Sequence, residues 1–191
     1  MNDGVFAGTR IGNIELPRLL TGYHSIRDLG NRKKYDEAQT RRELAAFLSG
    51  GISGVIGAFS ADPERFEQLK RAEEIAERNF IMLDLMNLTA GGRLEQHRAV
   101  EAKIAAAASK GVKICILDTA TTEKMVNKHK HAIEGVEEYL AMIRSAGMCT
   151  GLQANMPEII TYGNDNGYDV DVYVQNYNCA GYLMQVEIEQ C

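Results

Sequence analysis

The sequence withholds most of the signals that would place it in a class at once. It has no tryptophan, three prolines and four cysteines in 191 residues. Cys115, Cys149, Cys179 and Cys191 lack the C-x-x-C spacing of a thiolate metal site, which leaves reduced thiols in a cytoplasmic protein as the expectation. No lysine/arginine block interrupts a net charge of −5, so non-specific nucleic-acid binding is disfavoured. No apolar run is long enough for a bilayer, and Met1-Asn2-Asp3-Gly4 lacks a basic-then-apolar leader pattern; neither feature points to a membrane. No Pro-, Gly- or Ser-rich linker divides residues 1–191, which are read as a single domain. Gly50-Gly51-Ile52-Ser53-Gly54 precedes a strand instead of following one, so it is not a dinucleotide fingerprint. There is no P-loop and no G-x-S-x-G elbow.

What the chain does contain is a period. Apolar runs at Arg18–Tyr23, Gly54–Phe59, Phe80–Leu85, Val112–Leu117, Cys149–Gln153 and Val170–Gln175 alternate with segments of helical spacing. Strand–helix alternation predicts parallel strands joined by right-handed crossovers. The expected fold class is α/β, TIM-barrel-like, a (β/α) repeat of at least six units. Eight units would close a barrel, so six make a shortened barrel or an open sheet. Before the first unit, Ala7 to Leu16 alternates polar and apolar residues around Gly12-Asn13, the pattern of a two-residue hairpin, and Pro17 ends it. Such a hairpin suits a plug under one end of the barrel.

The helices are expected at Asp36–Ser49, with Ala38, Leu44, Ala45 and Leu48 on one face and Gly50-Gly51 as a left-handed C-cap; from the Asp62 cap and Pro63; at about Arg93–Lys110; as one long helix at about Thr122–Ala146, carrying Ile133, Val136, Leu140 and Ile143; and from near Pro157 to Asn164–Gly167.

Parallel α/β folds bind ligands at the carboxyl ends of their strands, which supplies a candidate site without any motif. Those ends carry Tyr23 and His24, Phe59 and Ser60, Asp84 to Asn87, Asp118, Gln153 and Asn155, and Gln175 to Asn178. His24 is the only histidine at a strand end and suits acid–base work or metal ligation; its rival reading is a loop histidine bonded to the backbone. Asp84 and Asp118 end neighbouring strands, so they can share a proton or a divalent cation. Against that, Asp118 can cap the next helix, and Asp84 can point between sheet and helices and pair with a lysine. The catalytic candidates are therefore His24, Asp84 and Asp118, with Tyr23, Asn87, Gln153, Asn155, Gln175 and Asn178 as substrate-binding candidates. His97, His129 and His131 read as solvated. Lys113 opens its strand at the end away from the site, so no Schiff-base lysine is in place.

The run Gly8-Thr9-Arg10-Ile11-Gly12-Asn13-Ile14-Glu15-Leu16-Pro17-Arg18-Leu19-Leu20-Thr21-Gly22 resembles the opening of aldo-keto-reductase-like proteins. Gly151 to Ile160 followed by Gly167 to Tyr173 resembles a bacterial branch of that superfamily. The resemblance implies a barrel plugged by its hairpin, oxidoreductase chemistry and NADP, whose phosphates the family holds near its last two strands. It also implies an Asp and a Tyr after strand two, a Lys on strand three and a His on strand four. Val55 to Ser60, Phe80 to Leu85 and Ile116 to Asp118 supply none of the four.

Three function classes follow. One is an enzyme using strand-end Asp/His groups on a small polar or sugar-like substrate. Another is a catalytically silent, ligand-binding relative. The third is a partial barrel completed by another chain. Of the apolar edges Arg18–Tyr23 and Val170–Gln175, the latter has no lysine or proline to guard it, which favours a homo-oligomer.

Overall fold

The computed structural model describes residues 6–23, 36–177 and 179. His24, Asn178 and the tail 180–191 lie outside the described residues.

The expected hairpin forms from β1 (Gly8–Ile11) and β2 (Ile14–Pro17), paired antiparallel with Ile11 opposite Ile14. Gly12, at φ 57°, takes the first position of the two-residue turn, where a left-handed conformation favours glycine. Pro17 ends the hairpin as the last residue of β2, opposite Gly8.

The main sheet contains β3 (Leu20–Gly22), β4 (Gly54–Gly57), β5 (Ile81–Met86), β8 (Ile114–Leu117), β11 (Cys149–Ala154) and β12 (Val172–Gln175). All five pairings are parallel, and the six strands lie side by side in chain order. The curled sheet is a TIM-barrel-like half-barrel, as the alternation predicts.

Alternation along each strand separates two apolar layers. Met82, Met86, Cys115, Leu117 and Leu152 face the helices and join the larger core. Leu83, Ile114, Ile116 and Cys149 face the opposite way, where Leu16 of the hairpin closes over them with Ile11 and Ile14 packed alongside. Ile114 and Cys149 open their strands, so the hairpin covers the amino ends. Gly151 sits on this inner face because a Cβ there would come within 2.7 Å of Ile116 and 2.9 Å of Val172.

Helix α1 (Glu37–Ser49) starts at Asp36, whose carboxylate accepts from Ala38 N at 2.9 Å. Its buried face is Thr40, Leu44, Ala45 and Leu48; Ala38 is exposed in the first turn. Of the glycines after it, Gly51 at φ 92° takes the left-handed position, while Gly50 does not. Helix α2 (Pro63–Ala76) begins as the sequence indicates, with Asp62 accepting from Arg65 N and Pro63 at the first position.

Two helices differ from expectation. The third, α3 (His97–Ser109), starts at His97 because Gly91 and Gly92, both at positive φ, turn the chain into a small hairpin of β6 (Thr89–Ala90) and β7 (Arg93–Leu94). The long fourth helix is two, α4 (Thr119–Lys124) and α5 (Val136–Ser145). Between them run β9 (Val126–Asn127), a 3-10 turn (Lys128–Lys130) and β10 (Ala132–Ile133). Asn127 caps the 3-10 turn, and His131 and Gly135 at φ 50° and 77° cannot continue an α-helix. Ile133 enters the same core from a strand, so its spacing to Val136 imitates a helical stripe. Helix α6 (Glu158–Asp165) follows Pro157. Among the described residues, no helix is long and apolar enough to cross a membrane.

Candidate functional site

Asp84 is fully buried in β5 and faces the helix layer, with Met82 and Met86 on the same side. Its Oδ1 accepts from Phe59 N at 2.6 Å and Ser60 N at 2.9 Å, and its Oδ2 accepts from the Ser60 hydroxyl. Lys110, just past α3, donates to the Phe59 and Ser60 carbonyls at 3.2 and 2.9 Å. The carboxylate and the ammonium thus hold the β4–α2 connection from opposite polarities. Burial pushes the Asp84 carboxyl above its ordinary value, although the hydrogen bonds from Ser60 and Phe59 and the Lys110 charge pull the other way. Burial, and then the Asp84 charge, also push up the neighbouring Cys115 thiol, which leaves it unreactive.

Asp118 stands elsewhere. In register, Asp84 lies opposite Cys115, and Asp118 is three residues further along β8, on the other face. Its Oδ1 accepts from Thr121 N at 2.9 Å, capping α4, and its Oδ2 accepts from Asn87 Nδ2 at 2.8 Å. The two carboxylates therefore do not converge. Every one of their four oxygens already accepts from a protein donor, a poor fit to a shared divalent cation. No group of three or more metal-ligating side chains occurs among the described residues.

A polar rim does form at the carboxyl ends. Asn87 bonds Asp118 on one side, and its Oδ1 accepts from Thr89 N and Oγ1 at 2.8 and 2.7 Å. Lys103 reaches the Asn87 carbonyl at 2.9 Å. On the other side, Asn155 N donates to Glu123 of α4 at 2.8 Å, and Asn155 Oδ1 accepts from Asn176 Nδ2 at 2.6 Å. Gln175 Nε2 donates to the Asn155 carbonyl at 2.9 Å. Gln153, half-buried on the inner face of β11, makes no side-chain hydrogen bond among the described residues. Amides and a carboxylate in this arrangement can donate to and accept from a hydroxyl-rich molecule.

Tyr23 lies in the helix-side core, 1% exposed, edge-on to Phe59 with ring centroids 5.8 Å apart; the Arg65 guanidinium stands 5.8 Å from its ring. His24 and Asn178, the other strand-end candidates, fall outside the described residues. Lys113 is exposed just ahead of β8, away from the rim. Glu123 and Lys110 escaped the sequence reading: Glu123 was hidden in the supposed long helix, and Lys110 marked only a helix end.

No protein-family model and no curated protein sequence matches the chain. Solved structures do. A thermostable aldo-keto reductase in complex with the inhibitor epalrestat matches 91% of this chain and 63% of its own, with TM-score 0.60 and 12% identity. The glycerol dehydrogenase of Gluconobacter oxydans matches 90% of this chain and 55% of its own, with TM-score 0.61 and 15% identity. A Pseudomonas aeruginosa protein ascribed to the aldo-keto reductases matches 96% and 74%, with TM-score 0.61 and 13% identity. The chain therefore spans between 55% and 74% of the length of these structures. Identities this low carry the fold alone. The sheet, its helices and its amino-end hairpin have the aldo-keto-reductase-like barrel fold.

Proposed function

We propose that the chain is a small-molecule-binding barrel protein that takes a small polar or sugar-like ligand at the Asn87–Asp118–Gln153–Asn155 rim, with Asp118 as its acid–base group. The observation that carries this is the Asn87–Asp118 hydrogen bond, which joins the carboxyl ends of two neighbouring parallel strands where this fold class binds ligands. Hydride transfer from NADP is not part of the reading. The described strands offer neither the lysine nor the histidine that the family resemblance implies.

Asp118→Asn tests the proposal: the asparagine oxygen keeps the helix cap at Thr121 N, while its amide nitrogen replaces the oxygen that accepts from Asn87 Nδ2, so the variant removes the carboxylate and the Asn87 bond together. A panel of aldoses and polyols, read by thermal shift and product analysis, should contain a binder that Gln153→Ala weakens roughly tenfold. Asp118→Asn should remove turnover of that compound with a smaller loss of affinity. Unchanged turnover and affinity in both variants would place the site elsewhere. A silent, binding-only relative is the second reading. It is favoured by the commitment of both Asp118 oxygens to protein donors, and it is the outcome if the panel yields binding without turnover.

The same reading includes a homo-oligomer. Strands β3 and β12 end the sheet, unpaired on their outer sides among the described residues, and every residue of β12 is half-exposed. Light scattering at tens of micromolar should give more than one chain per particle; a monodisperse monomer would contradict it.

A further inference from the structure

A second concave surface lies beside the rim, on the connections that leave β5 and β8. It is an open groove of about 460 Å³ between β7 and the α4–β10 segment. Its apolar side consists of Leu94, one of the few large hydrophobics left 36% exposed, with Met125 and Val126. Its polar side carries Lys124, Lys128 and His129. The one acid that lines it, Glu134, is held by Lys130 Nζ at 2.7 Å; hydrogen bonds from Lys130 and Asn127 keep that carboxyl below its ordinary value. Glu134 is thus neutralised by a lysine that does not line the groove, which leaves the Lys124 charge to set the local sign. Lys124 and His129 form no ion pair among the described residues. On a chain of net charge −5, this is a local reversal of sign beside exposed apolar surface.

We propose that this groove binds an oxyanion carried on a small apolar body, a phosphate ester or a carboxylate, with Lys124 and His129 on the anion and Leu94 and Val126 against the body. The volume is in the range of small-ligand sites, roughly 300–1,000 Å³. The arrangement of a few polar groups over an apolar wall is what fixes orientation in such sites. The exposed side chains have high-dielectric surroundings, so binding is expected to be weak, near millimolar, and to fall with added salt. The proposal concerns residues other than those of the rim, and its test needs no turnover.

The test is a titration of the isotope-labelled full chain, followed by amide NMR. Phenyl phosphate should move the Leu94 and Lys124–His129 resonances saturably, and inorganic phosphate should move the same set roughly fivefold more weakly for want of apolar contact. Benzoate separates the two anion sources, since whichever of it and phenyl phosphate binds more tightly names the natural headgroup. Anilinium should not bind. A Lys124→Gln/His129→Gln double variant should lose roughly fivefold in affinity. Leu94→Ser should weaken phenyl phosphate and leave inorganic phosphate unchanged, and Lys113→Gln, at the other end of the sheet, should change nothing. The same spectra report whether each variant is folded. Shifts scattered over surface lysines, or full affinity in the double variant, would overturn the proposal.

Discussion

Replacing Asp84 with alanine should cost about 3–5 kcal/mol, whereas replacing it with asparagine should cost less than about 1 kcal/mol. The alanine variant strands the fully buried Phe59 N–H and also takes the acceptor from the half-buried Ser60 N–H and hydroxyl. Asparagine keeps an oxygen for both N–H groups. Its amide can donate to Ser60 Oγ once that hydroxyl rotor reverses. It also removes the desolvation of a buried carboxylate. Urea unfolding at pH 7 separates the two. The pH dependence follows from the raised carboxyl: the native state holds that proton more tightly than the unfolded chain. The associated stability is present below the unfolded carboxyl's ordinary value and is lost as pH rises through the higher native one. The asparagine variant should lack this fall. Equal, small effects of both substitutions together with altered ligand affinity would make Asp84 a functional group instead of a clamp.

Arg144→Met should lower stability by about 2 kcal/mol, most of it through Asp171. Arg144, on α5, donates through Nη1 to Asp171 at 2.7 Å, through Nη2 to Asp169 at 2.7 Å and to Thr150 Oγ1 at 3.1 Å. Asp169 is largely exposed, and its pair is worth little in water. Asp171 is half-buried and also accepts from Thr150 N at 2.9 Å. Burial would raise the Asp171 carboxyl, but the Arg144 and Thr150 hydrogen bonds and the guanidinium charge hold it below its ordinary value. A depressed carboxyl stabilises the fold above its unfolded value, and this is lost as pH falls through the native one. The gap between wild type and Arg144→Met should therefore close in acid. A pH-independent gap would assign the effect to lost methylene packing.

The repeat was legible because its signals are local. Valine, isoleucine and leucine runs, the Asp62-Pro63 start and the Gly12-Asn13 turn each mean one thing in any context. The errors arose where a helical period came from two elements. Ile133 and Val136 share a core, but one reaches it from β10 and the other from α5. Side-chain direction was harder still. Asp84 and Asp118 both end apolar runs, and only the register, three residues apart and on opposite faces, shows that one anchors a loop and the other meets the rim. Nothing in the sequence reported that Glu123 reaches Asn155 or that Lys110 reaches across to Ser60, since those pairs span 32 and 50 residues.

Strand order has a consequence for how the chain comes together. Each main-sheet strand pairs only with its neighbours in the chain, at separations between 21 residues for Gly151 with Val172 and 35 for Ile114 with Cys149. Every loop closure in this sheet is thus of one modest size, and its entropic cost varies little from unit to unit. A closed ring joins its first strand to its last; in this sheet, among the described residues, β3 and β12 do not pair. Its energetics approach those of a linear array, in which units add one interface at a time and an end unit can detach at the cost of one. Amide exchange should accordingly be slowest in β5 and β8, whose neighbours on each side are themselves paired on both sides, and should quicken stepwise toward β3 and β12.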